Sequence, residues 1–241
     1  MRTEYVGLVS FVVEQIWRYP VKSIGGQQVE STWADGDGVH GDRVWAVQDA
    51  AGKLGSGTDT RRFTRIFGLL GLTARYADLA EPPIVTDGDG IDYPVATGAA
   101  DEFLRSLAGK RVWVRRDTGI MHFDDVPFTL VGTATLDWLA ELPGVQVEAR
   151  RLRPNLVVRT SEPFEEEAWL ERRVQIGTAE AVFEVILPRC VMVGMAQPGL
   201  ARSNAVLKRI GARTDNPLGM AIGGRVTKPG TIGVGDLVCP A

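Results

Sequence analysis

Short apolar segments, each ended by glycine or proline, most strongly limit how this chain can fold. Residues 6–16 form a β-branched and aromatic run that stops before Pro20, Gly25 and Gly26. Similar runs recur, about a dozen in all, with four or five short helical patterns among them. A doubly wound parallel sheet requires strands and helices to alternate regularly, and in this chain they do not. The sequence therefore predicts an α+β fold that is mostly β: an antiparallel, barrel-like structure with a few short peripheral helices.

The positions of glycine and proline along the chain also indicate where individual elements begin and end. Residues 230–238 carry glycines at the spacing of a small barrel's closing strands. Residues 50–60 are rich in glycine and are predicted to form a flexible loop. Four helices are predicted: one over residues 97–109, one that ends before Pro143, one that begins at Ser161 and one that Gly211 closes.

The charge and hydropathy of the chain argue against several function classes. The 241 residues carry a formal net charge of -3, whereas a nucleic-acid binder shows a basic excess. No segment reaches the roughly 18 apolar residues of a membrane span. The apolar run at residues 6–13 lacks the basic flank and cleavage site of a signal peptide. We therefore expect a cytoplasmic protein without a membrane span or a nucleic-acid partner.

Cysteine and histidine are too scarce for the common protein-built metal sites. The two cysteines, Cys190 and Cys239, cannot make a disulfide scaffold or ligate a four-cysteine iron–sulfur cluster. The two histidines, His40 and His122, cannot make a three-histidine zinc site. A single cysteine needs no partner residue if it ligates a metal that an organic cofactor already carries, and the composition alone leads no further.

Cys190 stands out because of its neighbours. An apolar, strand-like run ends at Pro188, and Arg189 and Cys190 follow side by side. A neighbouring guanidinium favours the thiolate form, which can attack a substrate or bind a soft metal. Without a histidine nearby in sequence, a cysteine hydrolase is weakly supported. The alternative is an inert, buried structural thiol.

Basic and polar residues also cluster at the predicted ends of several other strands. Each side chain alone could be an ordinary surface charge, the common fate of Lys and Arg. Together they predict a pocket for an anionic, polar ligand, since arginine binds phosphate bidentately and lysine adds a point charge. The clusters are Lys22-Ser23, Asp42-Arg43, Arg153-Pro154-Asn155 and Arg189-Cys190.

Five motifs in a fixed order resemble the MOSC family. They are Tyr19-Pro20-Val21-Lys22-Ser23, Gly41-Asp42-Arg43-Val44-Trp45, Arg153-Pro154-Asn155-Leu156, Arg189-Cys190 and Pro229-Gly230-Thr231-Ile232-Gly233. The resemblance runs from about residue 9 to residue 238 and is strongest to the branch of the mitochondrial amidoxime reducing component and its bacterial relatives. It implies an N-terminal β-rich module, residues 6–115, a MOSC β-barrel, residues 116–241, and a molybdenum cofactor (molybdopterin) between them.

Carried over by position, the resemblance assigns roles to eight residues. Cys190 is similar to the thiolate that ligates molybdenum, which makes it both the metal ligand and the catalytic residue. The other seven are similar to residues that contact the pterin and its phosphate, with Thr133 matched only by its small polar character. They are Lys22, Ser23, Arg43, Thr133, Arg153, Asn155 and Arg189.

The resemblance implies a molybdenum-cofactor-dependent oxidoreductase that reduces N-hydroxylated or related oxidised nitrogen compounds. The sequence shows no redox domain, so the electrons are expected from a separate flavoprotein, ferredoxin or small cytochrome. Two alternatives stay open: a sulfur-transfer protein with a persulfide on Cys190, and a non-catalytic carrier of the cofactor.

Some residues near the expected site fall outside the family pattern. After the cysteine, eukaryotic relatives have an Asp-Pro-rich turn, whereas this chain has Met195-Ala196-Gln197-Pro198-Gly199. The residues that shape substrate choice are therefore expected to differ. His122 and Asp124 are interpreted as ordinary loop residues, with the substrate side of the site as the alternative position for both, and Cys239 is interpreted as incidental.

Overall fold

The computed structural model describes residues 11–116 and 122–241, and these contain eighteen β-strands and three α-helices. The strands are β1 (Phe11–Arg18), β2 (Gln27–Val29), β3 (Ser31–Asp35), β4 (Gly38–Val39), β5 (Trp45–Asp49), β6 (Leu54–Ser56), β7 (Phe63–Arg65), β8 (Thr73–Arg75), β9 (Ile84–Thr86), β10 (Asp92–Pro94), β11 (Val112–Arg116), β12 (Phe128–Gly132), β13 (Leu156–Val158), β14 (Arg173–Ile176), β15 (Ala179–Pro188), β16 (Gly219–Lys228), β17 (Gly230–Gly233) and β18 (Leu237–Pro240). The helices are α1 (Ala99–Ala108), α2 (Thr133–Ala140) and α3 (Ala205–Gly211), with 3-10 turns at Leu69–Gly71, Ala149–Arg151, Glu165–Trp169 and Val191–Gly194.

Seven strands close into a barrel, which confirms the predicted fold class. Their order is β13-β12-β16-β15-β14-β18-β1, and the pairing of β1 with β13 closes the ring. The β12–β13 pair is parallel and the other pairs are antiparallel. Closure pairs the edges that an open sheet would leave free.

Alternating residues of these strands fill the barrel with apolar side chains. Val13, Ile16, Phe128, Phe183 and Ile222 are fully buried there, and the rings of Phe128 and Phe183 stack with centroids 5.9 Å apart. Because alternate residues of a strand face opposite sides of a sheet, the strand pattern seen in the sequence becomes this core.

A second core lies under the smaller sheets of the N-terminal half. Strands β11-β5-β6-β7 form one sheet and β10-β9-β8 another, and α1 packs with them around Val47, Val85, Leu104 and Val112. Strand β1, from the same half of the chain, lies instead in the barrel. The predicted division between residues 115 and 116 therefore crosses an interleaved structure, and it stays a prediction.

The residues that follow β15 leave the barrel and return to it as β16. This excursion, residues 189–218, is called the 189–218 connection below. The Arg189 backbone N–H donates to the Leu218 carbonyl (2.8 Å), which closes its base. Cys190 is its second residue, and the 3-10 turn Val191–Gly194 follows at once. The barrel thus holds Cys190 at the end of a buried strand.

Two predicted elements differ in the structure. Residues 50–60 contain β6, which is buried and pairs with β5 and β7, so tertiary pairing overrides the local glycine signal. The helix predicted from Ser161 is only the 3-10 turn Glu165–Trp169. Phe164 has a left-handed backbone (φ 65°) and donates its N–H to the Thr135 hydroxyl (2.7 Å), which prevents an α-helical start.

Other predicted elements are confirmed. The helix over residues 97–109 is α1, and Gly109 ends it in the left-handed conformation (φ 63°). The proline break at the end of the strand before Cys190 is the end of β15. None of the helices found in residues 11–116 and 122–241 has the length and apolar character needed to cross a membrane.

Candidate functional site: a basic cleft at four strand ends

An open cleft of about 140 Å³ lies where segments distant in sequence meet at strand ends. The chain after β1, the turn before β5, residues 123–126 before β12, the turn before β13 and the start of the 189–218 connection each contribute to it. Six of the eight predicted site residues line this cleft: Lys22, Ser23, Arg43, Arg153, Arg189 and Cys190. We call it the basic cleft, because five basic side chains and two acidic ones line it.

Three of the lining residues hold an unusual backbone conformation. Ser23, Arg43 and Arg153 have φ values of 62°, 52° and 54°. Such left-handed conformations cost non-glycine residues about 1–3 kcal/mol each and concentrate at functional sites. At Arg43, a backbone hydrogen bond to the Tyr19 carbonyl (2.7 Å) holds the conformation. Folding therefore accepts local strain in order to place these side chains.

Arg153 is held against an aromatic ring. Its guanidinium lies over the Tyr19 ring at 4.3 Å from the centroid, and its Nη1 donates to the Ile24 carbonyl (2.8 Å). Its Nη2 is buried and has no hydrogen-bond partner among the described residues. Burial lowers the pKa of Arg153 to about 10. One donor of a buried cation is thus left for a ligand.

Arg189 repeats this arrangement on the opposite segment. Its Nε donates to the Met220 carbonyl (2.7 Å) and its Nη1 to the Leu152 carbonyl (3.0 Å). Its Nη2, too, is buried without a hydrogen-bond partner in the described part of the chain. Burial lowers the pKa of Arg189 to about 10, although the neighbouring Cys190 acts in the opposite direction. The two carbonyl groups therefore fix the orientation of the guanidinium, and its Nη2 donor stays available for a ligand.

Arg43 joins two segments of the cleft wall. Its guanidinium forms an ion pair with Asp42 and donates to the Arg153 carbonyl (3.0 Å). Burial alone would lower the pKa of Arg43, but the Asp42 carboxylate outweighs burial and raises it. The Tyr19 backbone N–H in turn donates to Asp42 (2.7 Å). Arg43 is therefore a fixed positive charge, whatever the pH.

Lys22 faces Asp124 across the cleft. The Lys22 Nζ lies 2.6 Å from the Asp124 carboxylate and 5.0 Å from the centroid of the Phe63 ring. Burial lowers the pKa of Lys22 to about 8, with Asp124 opposing the shift. Asp124 thus lines the cleft, which agrees with the alternative interpretation of this residue and not with that of an ordinary loop residue. His122 is buried (1% exposed) and is not among the lining residues.

Cys190 presents a free, exposed thiol at the rim of the same cleft. Its backbone is extended (φ -121°) and leads from the end of β15 into the turn Val191–Gly194. It is therefore not the inert, buried thiol of the alternative interpretation. Cys239 is also free and exposed, but it lies on β18 and does not line the cleft.

Two predicted site residues lie elsewhere. Asn155 is fully buried behind the cleft wall, where its Oδ1 accepts from the Thr129 N–H (3.1 Å) and hydroxyl (3.0 Å). It links β12 to the turn that carries Arg153. Thr133 begins α2, exchanges hydrogen bonds with Thr160 and lines a separate cavity of about 720 Å³. Direct contact of either residue with a cofactor stays a prediction.

The sequence analysis did not single out Arg151 or the role of Tyr19. Arg151 is buried (3% exposed) and donates to the carbonyls of Gln146, Val193, Met195 and Ala201. It therefore anchors the turn that follows Cys190. The sequence signal that could have identified Arg151 is its position two residues before Arg153 in a run of arginines.

The donor set of the cleft fits an anionic cofactor that carries its own metal. A buried donor without a partner costs about 1–3 kcal/mol, and more when it is charged, so Arg153 and Arg189 favour a ligand with oxyanion groups. Cys190 adds one soft sulfur ligand. No cluster of three or more His, Cys, Asp or Glu side chains suited to a metal ion occurs in residues 11–116 and 122–241.

These features define a β-barrel protein with a basic cleft and an exposed thiol, and sequence comparison gives its family. A profile of the MOSC domain matches residues 117–239, just over half of the chain. A profile of the MOSC N-terminal beta barrel domain matches residues 10–69. The chain therefore belongs to the MOSC family, whose domains are associated with molybdenum cofactor binding.

Comparison with solved structures gives one likeness that bears on the fold. The YuaD protein from Bacillus subtilis is 17% identical, with 95% of this chain and 94% of that chain covered, at a TM-score of 0.52. YiiM from Geobacillus stearothermophilus is also 17% identical, over 48% of this chain and 55% of that one, at a TM-score of 0.37. At this identity the YuaD likeness shows a shared fold alone. No curated protein sequence matches this chain.

Proposed function

We propose that this chain is a molybdenum-cofactor-dependent oxidoreductase that reduces N-hydroxylated or related oxidised nitrogen compounds. One observation carries the cofactor part of the proposal: the exposed Cys190 thiol shares a cleft with the guanidinium groups of Arg153 and Arg189, each of which keeps one buried, unused donor. The choice of substrate class rests on the resemblance of the sequence motifs. Electrons come from a separate flavoprotein, ferredoxin or small cytochrome.

Each lining residue has a role in this proposal. Arg153 and Arg189 donate to the anionic groups of the cofactor, while Arg43, Lys22 and Ser23 supply further charge and hydrogen bonds. Cys190 provides the sulfur ligand to the metal. When bound, the cofactor supplies a two-electron redox centre. The fixed guanidinium groups need little rearrangement to bind, since protein carbonyls already hold them.

The reaction itself needs protons as well as electrons. Reduction of R–NH–OH breaks the N–O bond, takes up two electrons and two protons, and yields R–NH₂ and water. Lys22 holds a proton at Nζ in the cleft, and this ammonium group is positioned to supply it. Asp124, which is hydrogen-bonded to Lys22 and exposed to solvent, connects this group with water.

The molybdenum content of purified protein tests the proposal. In protein from a host that makes the cofactor, mass spectrometry of the metal is expected to find about one molybdenum per chain. Cys190→Ser is expected to lose at least 90% of it, while Cys239→Ser, which changes the other exposed thiol, keeps it. Arg153→Ala and Arg189→Ala are expected to lower the content several-fold, unlike Arg173→Ala at an exposed arginine of β14.

The outcomes separate the proposal from its alternatives. Full molybdenum content in Cys190→Ser, or in both arginine variants of the cleft, would contradict the assigned site. The exposure of Cys190 beside Arg189 also favours a second function, a sulfur-transfer protein with a persulfide on Cys190. Metal-free protein with cyanide-labile sulfur on Cys190 would support that function. Protein that holds molybdenum but reduces no N-hydroxylated compound would be a cofactor carrier.

A further inference from the structure

A third cavity, much larger than the basic cleft, opens beside it. It measures about 740 Å³ and lies between the segment 65–71 of the N-terminal half and the 189–218 connection. We call it the apolar groove, because most of its lining side chains are apolar. They include Ile66, Phe67, Leu70, Val191, Met195 and Leu207.

One turn of the chain separates the groove from the basic cleft. In the turn that follows Cys190, Met192 and Val193 line the cleft, whereas Val191 and Gly194 line the groove. Two residues of the N-terminal half, Ser56 and Gly57, pack closely against this turn. A side chain at Gly57 would come within 2.6 Å of the Met195 sulfur, and the Ser56 hydroxyl lies 3.5 Å from the Met192 sulfur. Cys190 therefore lines the basic cleft, and the next residue, Val191, lines the groove.

The groove leaves large apolar side chains in water. Phe67 is 78% exposed and Val191 is 53% exposed, and Val191 is the residue directly after Cys190. Water-exposed apolar surface in a concave site favours binding of an apolar partner. The volume of the groove falls within the range of about 300–1,000 Å³ typical of small-molecule sites, whereas the cleft is smaller than that range.

Two cations stand at the rim of the groove. Arg65 forms an ion pair with Asp59 (3.5 Å), and Arg202 forms no hydrogen bond or ion pair with another described residue. No acidic side chain lines the groove along the described chain. A ligand with a positive charge on its apolar part would therefore be repelled, while a neutral or anionic one would not.

We propose that the apolar groove binds the aryl or alkyl body of the substrate, while its N–OH group reaches Cys190 at the border of the basic cleft. This inference rests on the proposed function and names its substrate class: N-hydroxylated compounds with a neutral or anionic apolar body. In this reaction R–NH–OH takes up two electrons and two protons and gives R–NH₂ and water. The separate redox partner supplies the electrons.

Binding to the cofactor-free protein tests the groove without any turnover. Fluorine NMR titrations with 4-fluorobenzohydroxamic acid and its biphenyl homologue are expected to show tighter binding of the larger probe. Phe67→Ser and Val191→Ser are expected to weaken both probes at least fivefold. Ile91→Ser is the matched control, because Ile91 is as exposed as Val191 (53%) but lies outside the groove. Equal affinities in all four proteins would overturn the proposal.

Turnover by the cofactor-loaded protein gives a second readout. In Phe67→Ser, KM for the biphenyl substrate is expected to rise at least fivefold with kcat retained, while the kinetics of acetohydroxamic acid, which has no apolar body, stay unchanged. An equal loss for both substrates would contradict the groove assignment. If the wild-type protein reduces no N-hydroxylated compound, the proposed function fails, and the titrations still decide whether the groove binds apolar bodies.

Sedimentation of the wild-type protein and of Phe67→Ser tests whether a second copy of the chain, and not a small molecule, occupies the groove. A monomer in both cases supports a small-molecule groove. A wild-type dimer that Phe67→Ser converts to a monomer would overturn the proposal in favour of self-association. Phe67→Ser and Val191→Ser both change exposed side chains, so the thermal unfolding of these variants is expected to match that of the wild-type protein.

Discussion

Lys22 shows how strongly the basic cleft is shaped for an anion. Only 5% of its surface is exposed, and Asp124 is the one acid that contacts it within the described chain. Burial lowers its pKa from 10.5 to about 8 because the charged form loses hydration. Nearby Arg43 and Arg62 act in the same direction. A bound anion would reverse this shift, so the cost of burying Lys22 favours ligand binding.

The pH dependence of stability follows from this shift. Between about pH 8 and pH 10.5 the unfolded chain holds a proton on Lys22 that the folded protein has lost, so the free energy of unfolding rises with pH in this window. In the cofactor-free protein, Lys22→Met removes this dependence. We expect the variant to be more stable than the wild type at pH 7.5, by at most about 3 kcal/mol, and the gain to shrink towards pH 10.

Urea unfolding at several pH values measures this difference. Lys228→Met, at an exposed lysine on β16, is the matched control and is expected to change stability little at any pH. If Lys22→Met destabilised the protein at pH 7.5, or if its effect did not vary up to pH 10, burial of the charge would not be the dominant energy at this site.

At the scale of single residues, the sequence predicted which cations face the cleft but not their partners. Lys22, Arg153 and Cys190 lie in short motifs that the chain displays directly. Asp124 lies 102 residues from Lys22, and no local pattern can connect the two. The Arg-Pro-Asn motif likewise did not show which member faces the ligand. That depends on the left-handed backbone of Arg153, which turns the neighbouring Asn155 into the interior.

Among the elements, the 189–218 connection depends on one arginine for its shape. The buried Arg151 guanidinium donates to Val193, Met195 and Ala201, all in this connection, and to Gln146. Without the guanidinium, the carbonyl of the buried Val193 would lose this donor, and an unpaired buried carbonyl costs about 1–3 kcal/mol. Arg151 therefore holds the turn that forms the wall between the basic cleft and the apolar groove.

Arg151→Lys is expected to loosen this turn, because an ammonium cannot span the four carbonyls that the guanidinium reaches. We expect the free energy of unfolding to fall by about 2–4 kcal/mol. Hydrogen exchange at residues 191–201 is expected to accelerate more than exchange in β15. Arg150→Lys is the matched control, because the Arg150 side chain bonds only one carbonyl of the connection, that of Pro198 (2.9 Å). Equal exchange patterns in the two variants would contradict a specific role of Arg151.

Elements with strong local signals were predicted, and those set by distant pairing were not. The end of β15 at Pro188 and the end of α1 at Gly109 follow from the backbone limits of proline and glycine. Strand β6 exists because β5 and β7 pair with it, despite its glycine-rich surroundings. The apolar groove was not predicted either, since its two walls come from segments more than 100 residues apart.

For the whole molecule, β1 is the strand on which both halves depend. Within the barrel it pairs with β13 and β18. The chain then continues directly into the N-terminal half, where Val21 bridges to Trp45 and the Lys22 N–H donates to the Trp45 carbonyl (2.8 Å). Arg153 adds a link from the barrel side to the Ile24 carbonyl. The two cores are therefore joined by the chain that continues from β1 and by the walls of the basic cleft.

This coupling predicts that the two halves unfold together, although sequence analysis divides them at residues 115 and 116. Ile16 lies in the barrel core and Leu104 in the N-terminal core, and both are fully buried. Ile16→Ala and Leu104→Ala are each expected to lower the free energy of unfolding by about 2–5 kcal/mol. Each is also expected to lower the protection of amides in both β15 and β11, in one urea transition. Two separate transitions, each shifted by only one substitution, would show that residues 6–115 fold independently of the barrel.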